Sequence, residues 1–564
     1  MDALNRGRNN FIAGLGLVLL ALIYYSSIYR YGLNLADEGN AAVISQRLMH
    51  GERPFVDLAL GYNVLWFYPI SALFKIFGTN LLLMRAYFYA VSTASGLVAF
   101  LLLRRLDASL WLSLLQAILI LLVTGQYYKS YIPFLVLTNL LALTFFLTSQ
   151  KKLRTAIIGG VLLGTTYLVR IDLGLFFTVI WCAVIVLHLW LLDRRLRLNL
   201  SIAFSLAAGV VLIHLPFLYD ASRRGFLGEF LQEYRDYTVT IMQIALPAKR
   251  PDSAQSKTVS PIRCSLYPET SPNPGVGPEI QKYDTRLSRR SLRDIFLKSP
   301  KLDNRLLAFL TYATPALFCA LLLAGIWLVL AKRFSTERWV LFSTILAGAL
   351  TAFPQFFFFR PDLPHLIEFM KGGLVALTCA VWLFWSSLGR TRVAYGFAGT
   401  LALVAAVYAL TTLPSPYGGT IALRKHRNIR FKGANGVDVF LSNSEYQAIQ
   451  GVYNATVQNS RANDYVACYP YLPSVNFITG RRTFQNILYI DNLTRPPNWD
   501  EAEIARLQKY QPAVIVIDNW KINGTESSRF TSWATETMQF IQEHYRLQAA
   551  FDDKKVFVRV LPSS

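Results

Sequence analysis

Two adjacent carboxylates, Asp37 and Glu38, follow the first apolar segment in the sequence Leu33-Asn-Leu-Ala-Asp-Glu-Gly-Asn40. At a membrane surface such a pair can supply a general base together with a hydrogen-bonding or metal-binding partner. The pair also suits a structural role, since Asp37 is a good N-cap for a helix predicted near Glu38–His50 and Glu38 falls in its first turn. The sequence therefore predicts either proton transfer or helix capping at these positions.

Ionisable residues at the ends of apolar segments form a second group of candidates. They are Arg85, Arg170, Asp172, Arg360, Asp362 and His365. Guanidinium and imidazolium groups bind phosphate oxygens, and ionisable residues at membrane depth point to function. The structural alternatives are that Arg85 reaches the lipid headgroups or pairs with Asp57, and that Arg170 and Asp172 satisfy each other.

Other charged residues are weaker candidates. Glu368 and Lys371 stand at helical spacing and are predicted to pair with each other. Four arginines of a long loop either contact lipid phosphate or form a solvated face; they are Arg286, Arg289, Arg290 and Arg293. No spacing of His, Cys, Asp and Glu in the sequence identifies a metal, so the metal ligands are unknown, and a divalent cation is left open as a cofactor.

The composition places these candidates in a membrane protein. Of the 564 residues, 53% are hydrophobic and 16% are charged, whereas an ordinary soluble domain carries roughly 25% charged residues. Because a helix needs about 20 apolar residues to cross a bilayer, we predict eleven spans, near 11–29, 81–103, 109–125, 133–149, 155–169, 173–192, 200–218, 306–331, 339–358, 366–388 and 393–413. Lys and Arg cluster where these segments end, so the net charge of +22 indicates a membrane surface and not nucleic acid.

The connections between the spans predict an orientation. Strongly basic connections alternate with connections that carry few cations, and the basic set is expected in the cytoplasm. The N-terminus is then cytoplasmic, and an odd number of spans puts the C-terminal region outside. If the interrupted apolar stretch 61–78 were counted as a span, Arg104 and Arg105 would lie outside. We therefore interpret this stretch as a helix at the outer interface.

The chain accordingly divides into a polytopic α-helical region, 1–413, and a water-soluble region, 414–564. The first region carries two long external loops, 30–80 and 219–305. The second alternates helical runs (444–458, 499–510 and 531–545) with strand-like apolar runs (465–469, 513–518 and 555–560), which predicts a small α/β domain.

The order of short motifs in the first hundred residues resembles the GT-C glycosyltransferases, in particular the branch of protein O-mannosyltransferases and lipid A aminoarabinose transferases. The motifs are Asp37-Glu-Gly, Gln46-Arg-Leu, Gly51-Glu-Arg-Pro-Phe-Val-Asp57, Phe77-Gly-Thr-Asn80, Arg85 and Arg104-Arg-Leu. The resemblance implies a sugar donor on a polyprenyl phosphate and transfer on the external face. Beyond these residues it covers only an architecture of many spans followed by an external domain.

With this resemblance, we expect Asp37 to take the proton of an acceptor hydroxyl and Glu38 to support it. Arg85 matches the arginine that opens the family's second span, and it is expected on the donor phosphate with Arg360, His365 and Arg170. We expect Arg53, Asp57, Asp172 and Asp362 to contact the acceptor or support the structure. The expected partners are the lipid-linked donor, a glycan, lipid or protein acceptor, and membrane lipids.

Three other functions remain as alternatives. A transporter would place ionisable residues near the bilayer midplane, whereas these lie at predicted span ends. A ligase of lipid-linked glycans would use larger cationic patches, for which the loop arginines are candidates. A membrane receptor would leave the Asp37–Glu38 pair unexplained.

Overall fold

A computed structural model provides the coordinates. It describes residues 2–123, 125–245, 297, 302–351, 363–411, 421–492, 495–496, 498–522 and 526–560. These residues fall into two compact units. The described residues of the first unit lie in 2–29, 86–220 and 285–423, and those of the second lie in 30–85, 221–245 and 424–560.

Helices make up most of the chain. In chain order they are α1 (Asp2–Ser26), α2 (Asp37–Met49), α3 (Tyr68–Phe77), α4 (Leu81–Arg105), α5 (Leu110–Leu122), α6 (Tyr131–Thr148), α7 (Lys152–Val169), α8 (Ile171–Leu187), α9 (Leu196–Arg224), α10 (Leu227–Ala245), α11 (Leu302–Leu330), α12 (Thr336–Gly348), α13 (Leu363–Ser387), α14 (Thr391–Thr411), α15 (Asn443–Gln458), α16 (Pro473–Thr479), α17 (Trp499–Tyr510), α18 (Phe530–Trp533) and α19 (Thr535–His544). Ten of the eleven predicted spans coincide with one of these helices over most of their length, and the span predicted at 339–358 overlaps α12 from 339 to 348, while its residues after 351 lie outside the described residues.

Among the described residues, seven helical segments are long and apolar enough to cross a membrane. They are Gly7–Ser26, Leu81–Arg105, Tyr127–Thr148, Ile171–Leu192, Leu196–Arg224, Ala313–Leu330 and Glu368–Ser387. The shorter apolar helices include Leu110–Leu122 and Thr391–Val407. The chain is thus an integral membrane protein, while the count of eleven spans and their orientation stay predictions.

The first unit is a helical bundle. Helix α13 packs against α6, α12 and α14, and its residues from Glu368 to Phe384 are almost all buried. Helices α7 and α9 approach closely because Gly160 and Gly209 face each other, and a Cβ on either glycine would overlap the backbone of the other helix. Small residues allow such backbone contacts between helices in a membrane.

The second unit contains two sheets. Strands β1 (Ile429–Lys432) and β2 (Asp438–Leu441) form an antiparallel hairpin. Strands β3 (Val466–Tyr469), β4 (Val514–Asp518), β5 (Tyr545–Phe551) and β6 (Lys554–Arg559) form a sheet in the order β3-β4-β6-β5. The β3–β4 pair is parallel, and the other pairs are antiparallel.

Burial follows the position of each strand in the larger sheet. All residues of β3 and β4 are buried, as expected for strands covered on both faces, whereas β5 at the edge is mostly exposed. Helix α15 packs on β5 and β6, and α17 packs on α19. The predicted C-terminal α/β region is therefore confirmed. One detail was wrong, because the single helix predicted over 531–545 is broken at Ala534 and gives way to β5 at Tyr545.

The apolar stretch 61–78 forms no spanning helix. It consists of a 3-10 turn, Val64–Trp66, followed by the ten-residue α3. Ten residues cover about 15 Å, half the thickness of the hydrocarbon core. Ile76 and Phe77 at the end of α3 are exposed.

Candidate functional site

The acidic pair begins helix α2. The helix starts at Asp37, its N-cap is Ala36, and no side chain caps it. The capping alternative for Asp37 was therefore wrong, because Asp37 stands one position too far along the helix. Its neighbour Glu38 points in a different direction, and the two carboxylates have separate surroundings.

Glu38 is fully buried and paired with Arg85, with side-chain exposures of 1% and 2%. Arg85 Nε donates to Glu38 Oε1 at 2.6 Å, and Nη2 donates to Oε2 at 2.9 Å. Nη2 also donates to the carbonyl oxygen of Gly32 at 2.7 Å, and the backbone N–H of Asn34 donates to Glu38 Oε2 at 3.1 Å. This two-pronged pair joins the head of α4 to the turn that precedes α2. Both structural alternatives for Arg85 were therefore wrong, because Arg85 is buried and pairs with Glu38, not with lipid headgroups or Asp57.

Asp37 is partly exposed and accepts a hydrogen bond from Tyr471, with the tyrosine oxygen 2.7 Å from Oδ1. Burial, the charge of Asp37 and this hydrogen bond raise the pKa of Tyr471 well above its usual range. The phenol therefore stays protonated and acts as the donor. Sequence reasoning assigned no role to Tyr471, because the segment Tyr469-Pro-Tyr-Leu-Pro473 carries no obvious catalytic set.

Further contacts hold the backbone on both sides of the acidic pair. Ser474 donates from its backbone N–H to the carbonyl oxygen of Leu35 at 3.0 Å, and from Oγ to the carbonyl oxygen of Asn34 at 2.7 Å. A Cβ at Gly39 would overlap the backbone nitrogen and Oγ of Ser474 and would lie 2.6 Å from its Cα. Helices α2 and α16 can pack this closely only because residue 39 has no side chain.

The hairpin β1–β2 contacts the chain before and after the acidic pair. Gly32 N–H donates to the carbonyl oxygen of Phe440 at 2.9 Å, and Phe440 N–H donates to that of Arg30 at 2.7 Å. At the head of α4, Leu81 N–H donates to the carbonyl oxygen of Asn435 at 3.0 Å. Residues near both ends of loop 30–80 are thus held by hydrogen bonds to residues that lie much later in the sequence.

Arg53 and Asp57, expected to contact the acceptor or support the structure, form an exposed ion pair. Arg53 Nη2 lies 3.1 Å from Asp57 Oδ1, and the side chains are 41% and 36% exposed. Hydrogen bonding to Arg53 lowers the pKa of Asp57 despite its partial burial. Exposed pairs of this kind contribute little stability.

The first unit holds a second group of buried charges. Arg170 and Asp172 form a two-pronged pair at 2.8 and 2.9 Å, and the guanidinium lies 4.8 Å from the ring centroid of Phe369. Glu368 and Lys371 pair at 2.9 Å, as predicted. Glu368 Oε1 also accepts a hydrogen bond from the backbone N–H of Gln126 at 2.6 Å.

Several expected residues lie outside the described residues. These are Arg360, Asp362, Arg286, Arg289, Arg290 and Arg293. His365 lies in the first turn of α13. Among the residues that the structure describes, no three His, Cys, Asp or Glu side chains come together to hold a metal ion, so no cation is assigned to particular residues.

The fold is similar to that of ArnT from Cupriavidus metallidurans, solved bound to undecaprenyl phosphate and in the apo state. The superposition on the bound form has a TM-score of 0.51 at 15% identity and covers 97% of this chain and 98% of that one. The apo form gives 0.51 at 14% identity and covers 97% of each chain. This similarity confirms the predicted fold class, a GT-C-like membrane protein with a C-terminal α/β region.

A third solved structure, the Archaeoglobus fulgidus oligosaccharyltransferase in complex with zinc and sulfate, matches with a TM-score of 0.49 at 15% identity. It covers 95% of this chain and 71% of that chain. No protein-family model matches the sequence, and no curated protein matches it either.

Proposed function

We propose that this protein is a membrane glycosyltransferase that moves a sugar from a polyprenyl-phosphate donor to an acceptor hydroxyl, with Asp37 as the general base. The observation that carries the proposal is the contrast between the two carboxylates. Glu38 is buried and neutralised by Arg85, whereas Asp37 is partly exposed and accepts a hydrogen bond from Tyr471. The GT-C fold supports the same reaction class.

The reaction is a single displacement. The acceptor oxygen attacks the anomeric carbon, the bond from that carbon to the phosphate oxygen breaks, and the configuration inverts. The acceptor proton passes to the Asp37 carboxylate, which strengthens the nucleophile as the bond forms. The electron pair of the broken bond leaves on the polyprenyl phosphate, so fixed cations near that phosphate lower the barrier.

Glu38 and Arg85 act together in this proposal. Arg85 compensates the buried charge of Glu38, and the pair holds the turn 32–38 against the head of α4. We retain Arg85, with Arg360, His365 and Arg170, as candidate ligands of the donor phosphate. The donor class is supported by the undecaprenyl phosphate bound to ArnT, whose fold this chain shares.

The proposal includes an orientation and a range of acceptors. The N-terminus is cytoplasmic, and the region 414–564 faces the outside, where the lipid-linked donor and acceptor meet. The acceptor is a glycan, a lipid or a protein that offers a hydroxyl group. Arg53, Asp57, Asp172 and Asp362 are kept as residues of acceptor contact or structural support.

The test is single-turnover transfer by the purified full-length protein in nanodiscs. Undecaprenyl-phosphate sugars and mixed acceptors are supplied, and products are identified by mass spectrometry as a gain of one sugar. Asp37→Asn should lower the rate by roughly 10²-fold or more, the contribution of a positioned general base. The control Asp552→Asn makes the same charge change at an exposed turn where asparagine accepts the positive φ.

Transfer by the wild type that persists unchanged in Asp37→Asn would remove Asp37 from the base role. An absence of transfer across the donor and acceptor panel would contradict the glycosyltransferase itself and favour a transporter.

A further inference from the structure

We infer that the C-terminal region supplies a positioning residue for the base: Tyr471 fixes the Asp37 carboxylate in the orientation from which it accepts the proton. This inference rests on the proposed function, because it concerns how the same base works. It assigns a catalytic contribution to a region whose sequence shows no catalytic residues.

A hydrogen bond from Tyr471 to Asp37 connects two distant parts of the sequence. Tyr471 and Asp37 are 434 residues apart in sequence, and their oxygens lie 2.7 Å apart. The bond engages Oδ1 of the carboxylate. A tyrosine that holds one oxygen of a short carboxylate restricts rotation about its χ2 angle and leaves the other oxygen aimed in one direction.

Tyr471 is protonated in this hydrogen bond. A positioning hydrogen bond requires a neutral phenol that always donates. Burial raises the pKa of Tyr471, and the charge of Asp37, the hydrogen bond to it and the interactions with Tyr62 and Tyr489 raise it further. The donor therefore persists at every pH at which the protein would work.

Packing around the ring holds Tyr471 in place. Its ring packs edge-on against Tyr489, with centroids 4.8 Å apart. It lies between the buried strand β3 and helix α16, and α16 is itself tied to the turn before α2 through Ser474. Tyr471 thus approaches Asp37 from a surface that is fixed to the same turn, so the geometry of the hydrogen bond is set by the backbone on both sides.

Positioning makes a specific kinetic prediction. A carboxylate that rotates freely spends less time in the productive geometry, so the chemical step slows while donor affinity is kept. Tyr471→Phe removes only the hydroxyl and keeps the ring contact with Tyr489. We expect kcat to fall roughly tenfold, since a hydrogen bond to a charged group is lost, and the KM for donor and acceptor to change less than twofold.

The matched control is Tyr453→Phe. Tyr453 is a partly buried tyrosine of the same region that packs edge-on against Phe431 at 5.6 Å. It should keep the wild-type kcat. Both variants should still unfold cooperatively and well above the assay temperature, which separates positioning from loss of fold.

A double-mutant cycle shows whether Tyr471 acts through Asp37. In the Asp37→Asn background the base is absent, so Tyr471→Phe should change the residual single-turnover rate less than twofold. A wild-type kcat in Tyr471→Phe, or an equal loss in both backgrounds, would overturn the inference while leaving the proposed function standing. A failure of the proposed function is recognised separately, because the wild type then yields no product.

Discussion

The guanidinium of Arg85 and the carboxylate of Glu38 form a buried, two-pronged ion pair, with Nε and Nη2 at 2.6 and 2.9 Å from the two carboxylate oxygens. A charge this deeply buried is tolerated only with its partner. Arg85→Met should leave the Glu38 carboxylate uncompensated and destabilise the protein by roughly 3–5 kcal/mol. The measurement is the melting temperature of the purified protein, with Arg53→Met as the control in an exposed pair.

The control should melt at the wild-type temperature, because exposed pairs contribute little. Adding Glu38→Met to Arg85→Met should recover part of the lost stability, since both charges are then gone. A single Arg85→Met variant that melts with the wild type would show that the carboxylate is solvated or protonated instead of paired.

Lysine at position 85 tests whether the arginine also serves the donor. An ammonium group cannot make both contacts to Glu38 and the third contact to the Gly32 carbonyl in the same planar geometry. Arg85→Lys should restore only part of the turnover lost in Arg85→Ala. If Arg85 also stabilises the leaving phosphate, Arg85→Ala should slow single-turnover transfer more than it weakens donor binding. Equal turnover in the three proteins would exclude Arg85 from the reaction.

Gly39 tests the close packing of α2 on α16. Gly39→Ala places a methyl group where Ser474 already stands, so α2 must move and take Asp37 away from Tyr471. We expect a lower melting temperature and a loss of transfer of at least tenfold, of the order that a misplacement of about 1 Å costs. Gly61→Ala is the matched control, because nothing lies within 4 Å of a Cβ at that position. Full activity in Gly39→Ala would mean that the two helices can separate without consequence.

The predicted orientation is tested by cysteine labelling in a variant without native cysteines. Glu543→Cys, on the exposed side of α19, should react with an impermeant thiol reagent in intact spheroplasts. Arg390→Cys, in a basic connection expected in the cytoplasm, should react only after lysis. The opposite labelling of the two cysteines would invert the topology and move the proposed reaction to the cytoplasmic face.

The elements of the fold were largely predictable because they depend on local sequence. Apolar runs of span length marked the helices, and the short buried runs at Val466–Tyr469 and Val514–Asp518 marked the central strands. The break at Ala534 was not predicted, because no Pro or Gly marks it in the sequence; Phe530 and Trp533 before it are buried in the core.

The candidate site was likewise predictable only in part. The adjacency of Asp37 and Glu38 and the spacing to Arg85 are visible in the sequence, but which carboxylate takes the arginine is not. That choice depends on the direction in which each side chain leaves the first turn of α2. The contacts from Phe440, Ser474 and Tyr471 could not be predicted, since hydrogen bonds across more than 400 residues leave no pattern in a single sequence.

The discontinuity of the second unit has a consequence for biogenesis. The ribosome releases Asp37 and Glu38 early, whereas Tyr471 follows 434 residues after Asp37, and domains that need late segments cannot finish folding before these emerge. A nascent chain that stops after the last predicted span carries the base and the Arg85–Glu38 pair, but it lacks Phe440, Tyr471 and Ser474, which hold the base and the turn before it. We therefore expect products truncated there to be inactive, because the proposed activity needs the final segment to fold onto the first loop.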